Sequence, residues 1–199
     1  LPLSSTGTVN NDSAGIKAFN APTSSTSGDG GFTLGTSTNH NRVSSGTPTT
    51  YVTFNWHANG GLTSSNSDGS ITSTVQANTD AGISVVTYTG NASAGATVGH
   101  GLGVAPKWVI IKARALSTNW YIYHDQLTGT INQLYLNSAA KEDTSVLTAF
   151  NDKAPTDSVF ELPGSGYGSN NASTYVAYCF ADVEGFSKFG SFVGNGSTD

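Results

Sequence analysis

Few groups in this chain could do chemistry: four histidines, one cysteine and thirteen carboxylates. Zinc is held by closely spaced pairs such as His-x-x-x-His, and His40, His57, His100 and His124 offer none. Glycosidic hydrolysis needs two carboxyls facing one bond. Asp125, Glu142, Asp143, Asp157, Glu161, Asp182 and Glu184 are dispersed, and spacing brings no two together. No Gly-x-Ser-x-Gly lies between a strand and a helix, and Gly164-Ser165-Gly166 reads as loop. Cys179 sits in the strand pattern Thr174–Phe180 with no basic residue nearby, so it reads as a small buried residue rather than an activated thiolate. A single cysteine excludes an intrachain disulfide. Asp/Asn/Gly loops are rich in oxygen ligands, but the alternating Asp-x-Asp-x-Asn-Gly pattern of a calcium loop is missing. The expectation is no catalytic residue, no metal and no cofactor.

Two constellations remain. His100 lies between Gly99 and Gly101, where an imidazole can bond local backbone and hold the shape of a turn. Trp120, Tyr121 and Tyr123 put aromatics on both faces of one strand. If Trp120 and Ile122 point inward, Tyr121 and Tyr123 are free to stack on a saccharide or pack on a neighbouring subunit; cross-strand packing is the plainer alternative.

The elements that must position these residues are strands. Gly82–Arg114 reads as strand, turn, strand. Ile83, Val85, Thr87 and Thr89 alternate with Ser84, Val86 and Tyr88. Trp108–Arg114 begins with both faces apolar and ends with one face charged, as a strand leaving the core at a rim would. Between them, Gly99, Gly101 and Gly103 permit positive φ or close backbone approach, and Pro106 keeps Ala105 extended. Nothing there suits a phosphate.

The run His100-Gly-Leu-Gly-Val-Ala-Pro-Lys-Trp-Val-Ile-Ile-Lys112 resembles the His-Gly-Leu-Gly-x-x-Pro-x-x-Val motif of β-rich modules in bacteriophage tail-fibre and other virion structural proteins. The similarity continues through residues 84–91, 118–124, 154–162 and 174–197. It implies a structural or adhesive role on the virion surface, partnership with copies of itself or other virion proteins, and no catalytic residues.

Charge is sparse, at 11% of residues with a net of −5. The eight basic residues are scattered, whereas phosphate binding needs them clustered, so nucleic acid is not an expected partner. No apolar run approaches a membrane span. Gly, Ser, Thr and Asn dominate, but three Trp, eight Tyr and nine Phe sit inside alternating runs, which favours an all-β fold of sandwich or jelly-roll type over disorder. Asn-x-Ser occurs at Asn11, Asn91, Asn171 and Asn195, and matters only in a eukaryotic secretory setting.

The chain also repeats itself. Thr50-Tyr-Val-Thr-Phe-Asn-Trp56 matches Thr174-Tyr-Val-Ala-Tyr-Cys-Phe180. Ala18-Phe-Asn-Ala-Pro-Thr23 matches Ala149–Thr156, and Phe32–Gly35 matches Phe160–Gly164. Gly82–Ser93 returns as Gly185–Ser197. A period above about a hundred residues is domain duplication rather than a solenoid. The expected organisation is a partial or strand-sharing module at 1–81, a complete sandwich at 82–183, and the opening strand of a further repeat at 184–199. That ending, with no Met anywhere in the chain, reads as a piece of a longer polypeptide. In the matched strands, Val52, Phe54 and Trp56, like Val176, Tyr178 and Phe180, form the expected core face. Further strands are expected at 71–75, 119–124, 134–136 and 159–162. A helical turn is expected at Ser13–Phe19 and a short helix at Lys141–Phe150.

The functional expectation is a non-enzymatic structural and adhesive module of a virion appendage, with host surface glycans as a candidate contact. A bacterial cell-surface or filament-forming adhesin comes second, and a carbohydrate-binding or depolymerase-associated module third. The metal reading is directly testable: the melting temperature should be unchanged by a chelator, and a fall would reveal a bound cation.

Overall fold

Short alternating runs separated by turn residues fold here into strands only. The computed structural model describes residues 50–56, 58, 63–129, 132–144 and 149–197, together with the backbone of strands at 16–20, 31–34, 43–44 and 47–48. The fold is all-β, and no helix occurs among the described residues. Two small ribbons come first: β1 (Ile16–Asn20) with β2 (Gly31–Leu34), and β3 (Val43–Ser44) with β4 (Thr47–Pro48), both antiparallel. The expected turn at Ser13–Phe19 is therefore strand from Ile16 onward, and its first residues lie outside the described ones.

The main sheet has seven antiparallel strands: β5 (Ser64–Asn66), β6 (Ser73–Asn78), β7 (Ile83–Thr89), β9 (Trp108–Ala113), β10 (Tyr121–His124), β11 (Leu134–Tyr135) and β13 (Thr174–Phe180). Their order is β11-β10-β9-β13-β7-β6-β5. Two strands, β8 (Ala96–Gly99) and β12 (Val159–Leu162), form a separate antiparallel pair. A parallel bridge from Ile71 to Val98 ties this pair to the main sheet's turn. The arrangement is a sandwich of one large sheet and one small one.

Gly82–Arg114 is consequently not one hairpin. The last strand, β13, enters between β7 and β9 and pairs with both, with Ala177 opposite Val86 on one side and Ile111 on the other. The intervening residues supply β8. The expected boundary between residues 81 and 82 also falls inside the sheet, because β6 pairs with β7 across it, Val75 opposite Val86.

Strand periodicity divides the sheet's side chains into two sets. One set, Val75, Val86, Tyr88, Val109, Ile111, Tyr123, Tyr175, Ala177 and Cys179, packs against Val98, Phe160 and Leu162 of the small sheet and against Leu102 and Phe150. Tyr88 and Tyr175 stack at 5.1 Å, and Phe160 meets Tyr88 edge-on at 6.0 Å. The other set, Ile83, Ile110, Ile122 and Phe180, makes a second cluster with Trp120 and Ala58.

The larger core lies on the Tyr175–Ala177–Cys179 face of β13, and the expected Val176–Tyr178–Phe180 face belongs to a second, smaller core. Val176 and Phe180 are buried on the second face, and Tyr178 is half-buried there. Both faces of this strand are apolar, so side-chain size did not choose between them; the position of the small sheet did. The matching run Thr50–Trp56 departs further. It enters no sheet, and Val52, Phe54 and Trp56 are 78%, 72% and 58% exposed. Lys112, expected at a charged rim, is fully buried, and its amine donates to the Thr118 carbonyl at 2.6 Å.

The expected helix at Lys141–Phe150 is absent from its described residues. Asp143 instead bridges to Gln133 as extended backbone, in keeping with a Thr-rich run of poor helix propensity.

Loops are locked to the sandwich by fully buried Asn170. Its carbonyl oxygen accepts from the Asn91 and Ala92 amides at 2.9 and 3.3 Å, and its amide donates to the carbonyls of Ser93 and Pro163 at 2.9 and 2.7 Å. All the bonding capacity of one amide joins the turn after β7 to the loop before β13. Asn170→Ala should lower unfolding free energy by about 3 kcal/mol, since several buried partners lose their bonds at once. Urea denaturation would show this as a reduced midpoint at unchanged slope.

Candidate functional site

His100 directly follows β8 of the small sheet. Its ring is fully buried; Nδ1 accepts from the Leu102 amide at 3.2 Å, and Nε2 lies 3.2 Å from the Thr156 carbonyl. These partners assign the neutral tautomer with the proton on Nε2. The glycines around it divide the labour. Gly101 and Gly103 adopt φ of +71° and +73°, and a Cβ on Gly99 would collide with the Asn66 side chain. Pro106 is buried one turn further on. This is the backbone-holding imidazole expected from the sequence. Burial lowers its pKa, against smaller opposing effects from the Thr156 carbonyl, Asp157 and Asp68.

The other reactive types are also absorbed into structure. Cys179 is buried in the main core, and burial pushes its thiol pKa up, away from a thiolate. Glu142 accepts from the Thr128 amide and hydroxyl and from Asn132. Asp143 accepts the Tyr135 hydroxyl at 2.6 Å. Glu161 pairs with Lys153 at 2.9 Å, and Asp125 with Lys107 at 2.9 Å. Each of these four carboxylates has its own local partner, and among the described residues no three metal-ligating side chains gather. His40 and His57 lie outside the described residues.

The aromatic strand resolves differently from the sugar-stacking expectation. Trp120 and Ile122 do point inward, but into the second cluster. Tyr121 and Tyr123 face the main core: Tyr123 is buried against Phe150 at 5.8 Å. Tyr121 packs edge-on with Tyr135 at 5.7 Å, and its hydroxyl occupies the space beside Gly168 where a side chain would sit. Tyr123 is therefore buried, and Tyr121 is half-buried against the main core rather than standing on an open face.

The aromatic surface lies elsewhere. On the second face, Trp108 stacks on Phe180 at 5.0 Å, Phe189 leans on both rings at 5.9 and 5.8 Å, and Trp56 meets Phe180 edge-on at 5.5 Å. Phe54 continues the series, stacked on Trp56 at 6.4 Å. The backbone beside it is pinned by Gln76, whose side-chain amide donates to the Ala58 carbonyl. Beyond these rings Phe186, Phe192 and Val193 are 71%, 94% and 96% exposed. Around buried Phe180, the exposed rings of Phe54 and Trp56 and the half-buried Trp108 and Phe189 make an aromatic patch of the kind that marks an interaction site. Strand alternation picked out Phe54, Trp56 and Phe180 only as core, and it could not find Phe186, Phe189 and Phe192, which recur at every third residue rather than every second.

Residues 4–199 match the model of a family described as Domain of unknown function (DUF7483). The chain belongs to this family. Neither the curated proteins nor the solved structures contain a significant match to it. No helix among the described residues of this DUF7483 chain is long and apolar enough to cross a membrane.

The pKa of His100 gives a definite pH dependence. Its folded value lies below the unfolded one, near about 6.5, so the unfolded chain takes up the proton first as pH falls. The stabilisation is complete above that value and is lost as pH drops below it toward the folded pKa. His100→Ala should cost about 1–3 kcal/mol at pH 8, by stranding the Leu102 amide and the Thr156 carbonyl. It should also flatten the stability profile between pH 7 and 5, as read from thermal melts.

Proposed function

We propose that this DUF7483 chain is a non-enzymatic structural and adhesive module of a virion appendage, such as a tail fibre, that works by associating with copies of itself at the virion surface. One observation carries the self-association: an aromatic patch of Phe54, Trp56, Trp108 and Phe189 around buried Phe180, with Phe186, Phe192 and Val193 exposed on the segment that carries Phe189. Removing such rings from water is the main source of association energy, and few charges on the chain oppose contact between like copies. The resemblance of residues 100–112 to virion β-modules supplies the setting. The burial of Cys179 and His100 and the separate engagement of the carboxylates agree with a role that needs no chemistry.

The first test is the mass of the native protein across concentration, by mass photometry with electron-microscope class averages. A multimer is expected, with Trp56→Ser and Phe192→Ser each weakening it while the melting temperature holds. A monomer at every concentration would sink the proposal and put glycan binding first in line.

A further inference from the structure

The two exposed segments on the second face are related to the two strands that pair at the centre of the sheet. Thr50–Trp56 repeats β13 residue for residue, and Gly185–Ser197 repeats Gly82–Ser93, which carries β7. The second match extends beyond composition to backbone geometry. β7 is preceded by Gly82 at φ +64° and followed by Ala92 at φ +63°, with the Asn91 side chain accepting from the Ser93 amide at 2.9 Å. The later segment is preceded by Gly185 at φ +75° and followed by Gly196 at φ +72°, with Asn195 accepting from the Ser197 amide at 2.9 Å. The same punctuation brackets both runs.

The later run is one residue longer. Placing the extra residue at Gly190, as a bulge, puts Ser187, Phe189 and Phe192 on the face that Ser84, Val86 and Tyr88 occupy in β7. Phe186, Lys188, Ser191 and Val193 then take the other face. Yet the run enters no sheet. It starts in a turn at 184–186 closed by the Val183–Ser187 bridge, and the Phe189 amide donates to Asp182 at 2.9 Å, contacts that pairing would release. The rest has no regular structure and is largely exposed. Thr50–Trp56 is likewise outside every sheet. Within one chain both segments reach the same ring, Phe180, through Trp56 and Phe189, and still do not pair. Neither run uses its strand pattern in a sheet ladder within one chain.

We infer that residues 186–193 of one copy add as an antiparallel strand to residues 50–56 of a second copy of this chain, in the register that joins β7 to β13. In that register Thr89 faces Thr174 and Ile83 faces Phe180, which translates to Val193 against Thr50 and Phe186 against Trp56. Main-chain hydrogen bonds supply affinity, and the alternating rings supply register. The contact joins two different segments, so it closes as a reciprocal dimer or ring, or continues as a filament. Pairing moves Phe189 off Trp108 and Phe180, so those ring contacts are exchanged rather than simply added. This inference rests on the self-associating role proposed above and names the surfaces that perform it.

Cross-linking of the full chain tests it. Thr50→Cys and Val193→Cys are prepared as separate variants, mixed and oxidised; the native Cys179 is buried and does not compete. A disulfide-linked dimer should form in the mixture and be nearly absent from either variant alone. Adding Phe192→Glu to the Val193→Cys chain should abolish it without shifting the main melting transition, because Phe192 is exposed in the single chain. Equal dimer yields in all three samples would overturn the pairing. So would closure of the double variant within one chain, read as a faster-migrating monomer. Multimers by mass without this cross-link would remove the strand pairing and leave self-association standing; a monomer at all concentrations would remove both.

Discussion

Everything in this fold depends on where the run Thr174–Phe180 goes. It is the most continuously apolar strand in the chain, and it lies between β7 and β9 with ladder bonds on both edges. A strand in that position needs cover on both faces. On one face the cover is the small sheet, with Phe160 and Leu162 over Tyr175 and Ala177. On the other, among the described residues, no second sheet lies over the strands, and the side chains from outside the sheets are Ala58, Ala81, Trp120, Leu136 and Phe189. The asymmetry between a structured lid and an improvised one gives the molecule a finished side and an unfinished side.

The polar groups follow the same division. Asn170 and His100 are fully buried near the finished side, each bonded to backbone that no strand partner reaches. In a chain this poor in charge, amides and a neutral imidazole take the role that ion pairs have elsewhere, and they do so without the large desolvation cost of a buried charge. Lys112 is the exception, a buried amine held by a loop carbonyl, and burial lowers its pKa.

The all-β class, the positions of β7, β9, β12 and β13 and the structural role of His100 were legible from alternation and turn chemistry, because those signals are local. Which face of β13 meets the main core was not legible, since Val176 and Phe180 are as apolar as Ala177 and Cys179 and only the distant small sheet decides. The insertion of β13 between β7 and β9 was equally hidden, as a long-range pairing leaves no mark on the residues between. The repeat had the opposite fate. Thr50–Trp56 has the pattern of a core strand and yet lies outside the sheets, so its sequence describes a role that one chain alone does not fulfil. Tyr121 and Tyr123 misled because a strand with aromatics on both faces implies a wet side only when one side is uncovered.

All three tryptophans lie on the unfinished side: Trp108 and Trp120 within the second cluster and Trp56 against Phe180. The main core holds tyrosine and phenylalanine but no indole. The molecule is thus optically one-sided. Light absorbed at the red edge of its ultraviolet band excites only groups on one surface of the sheet, so its intrinsic emission reports events at that surface, while repacking between the two sheets stays nearly dark.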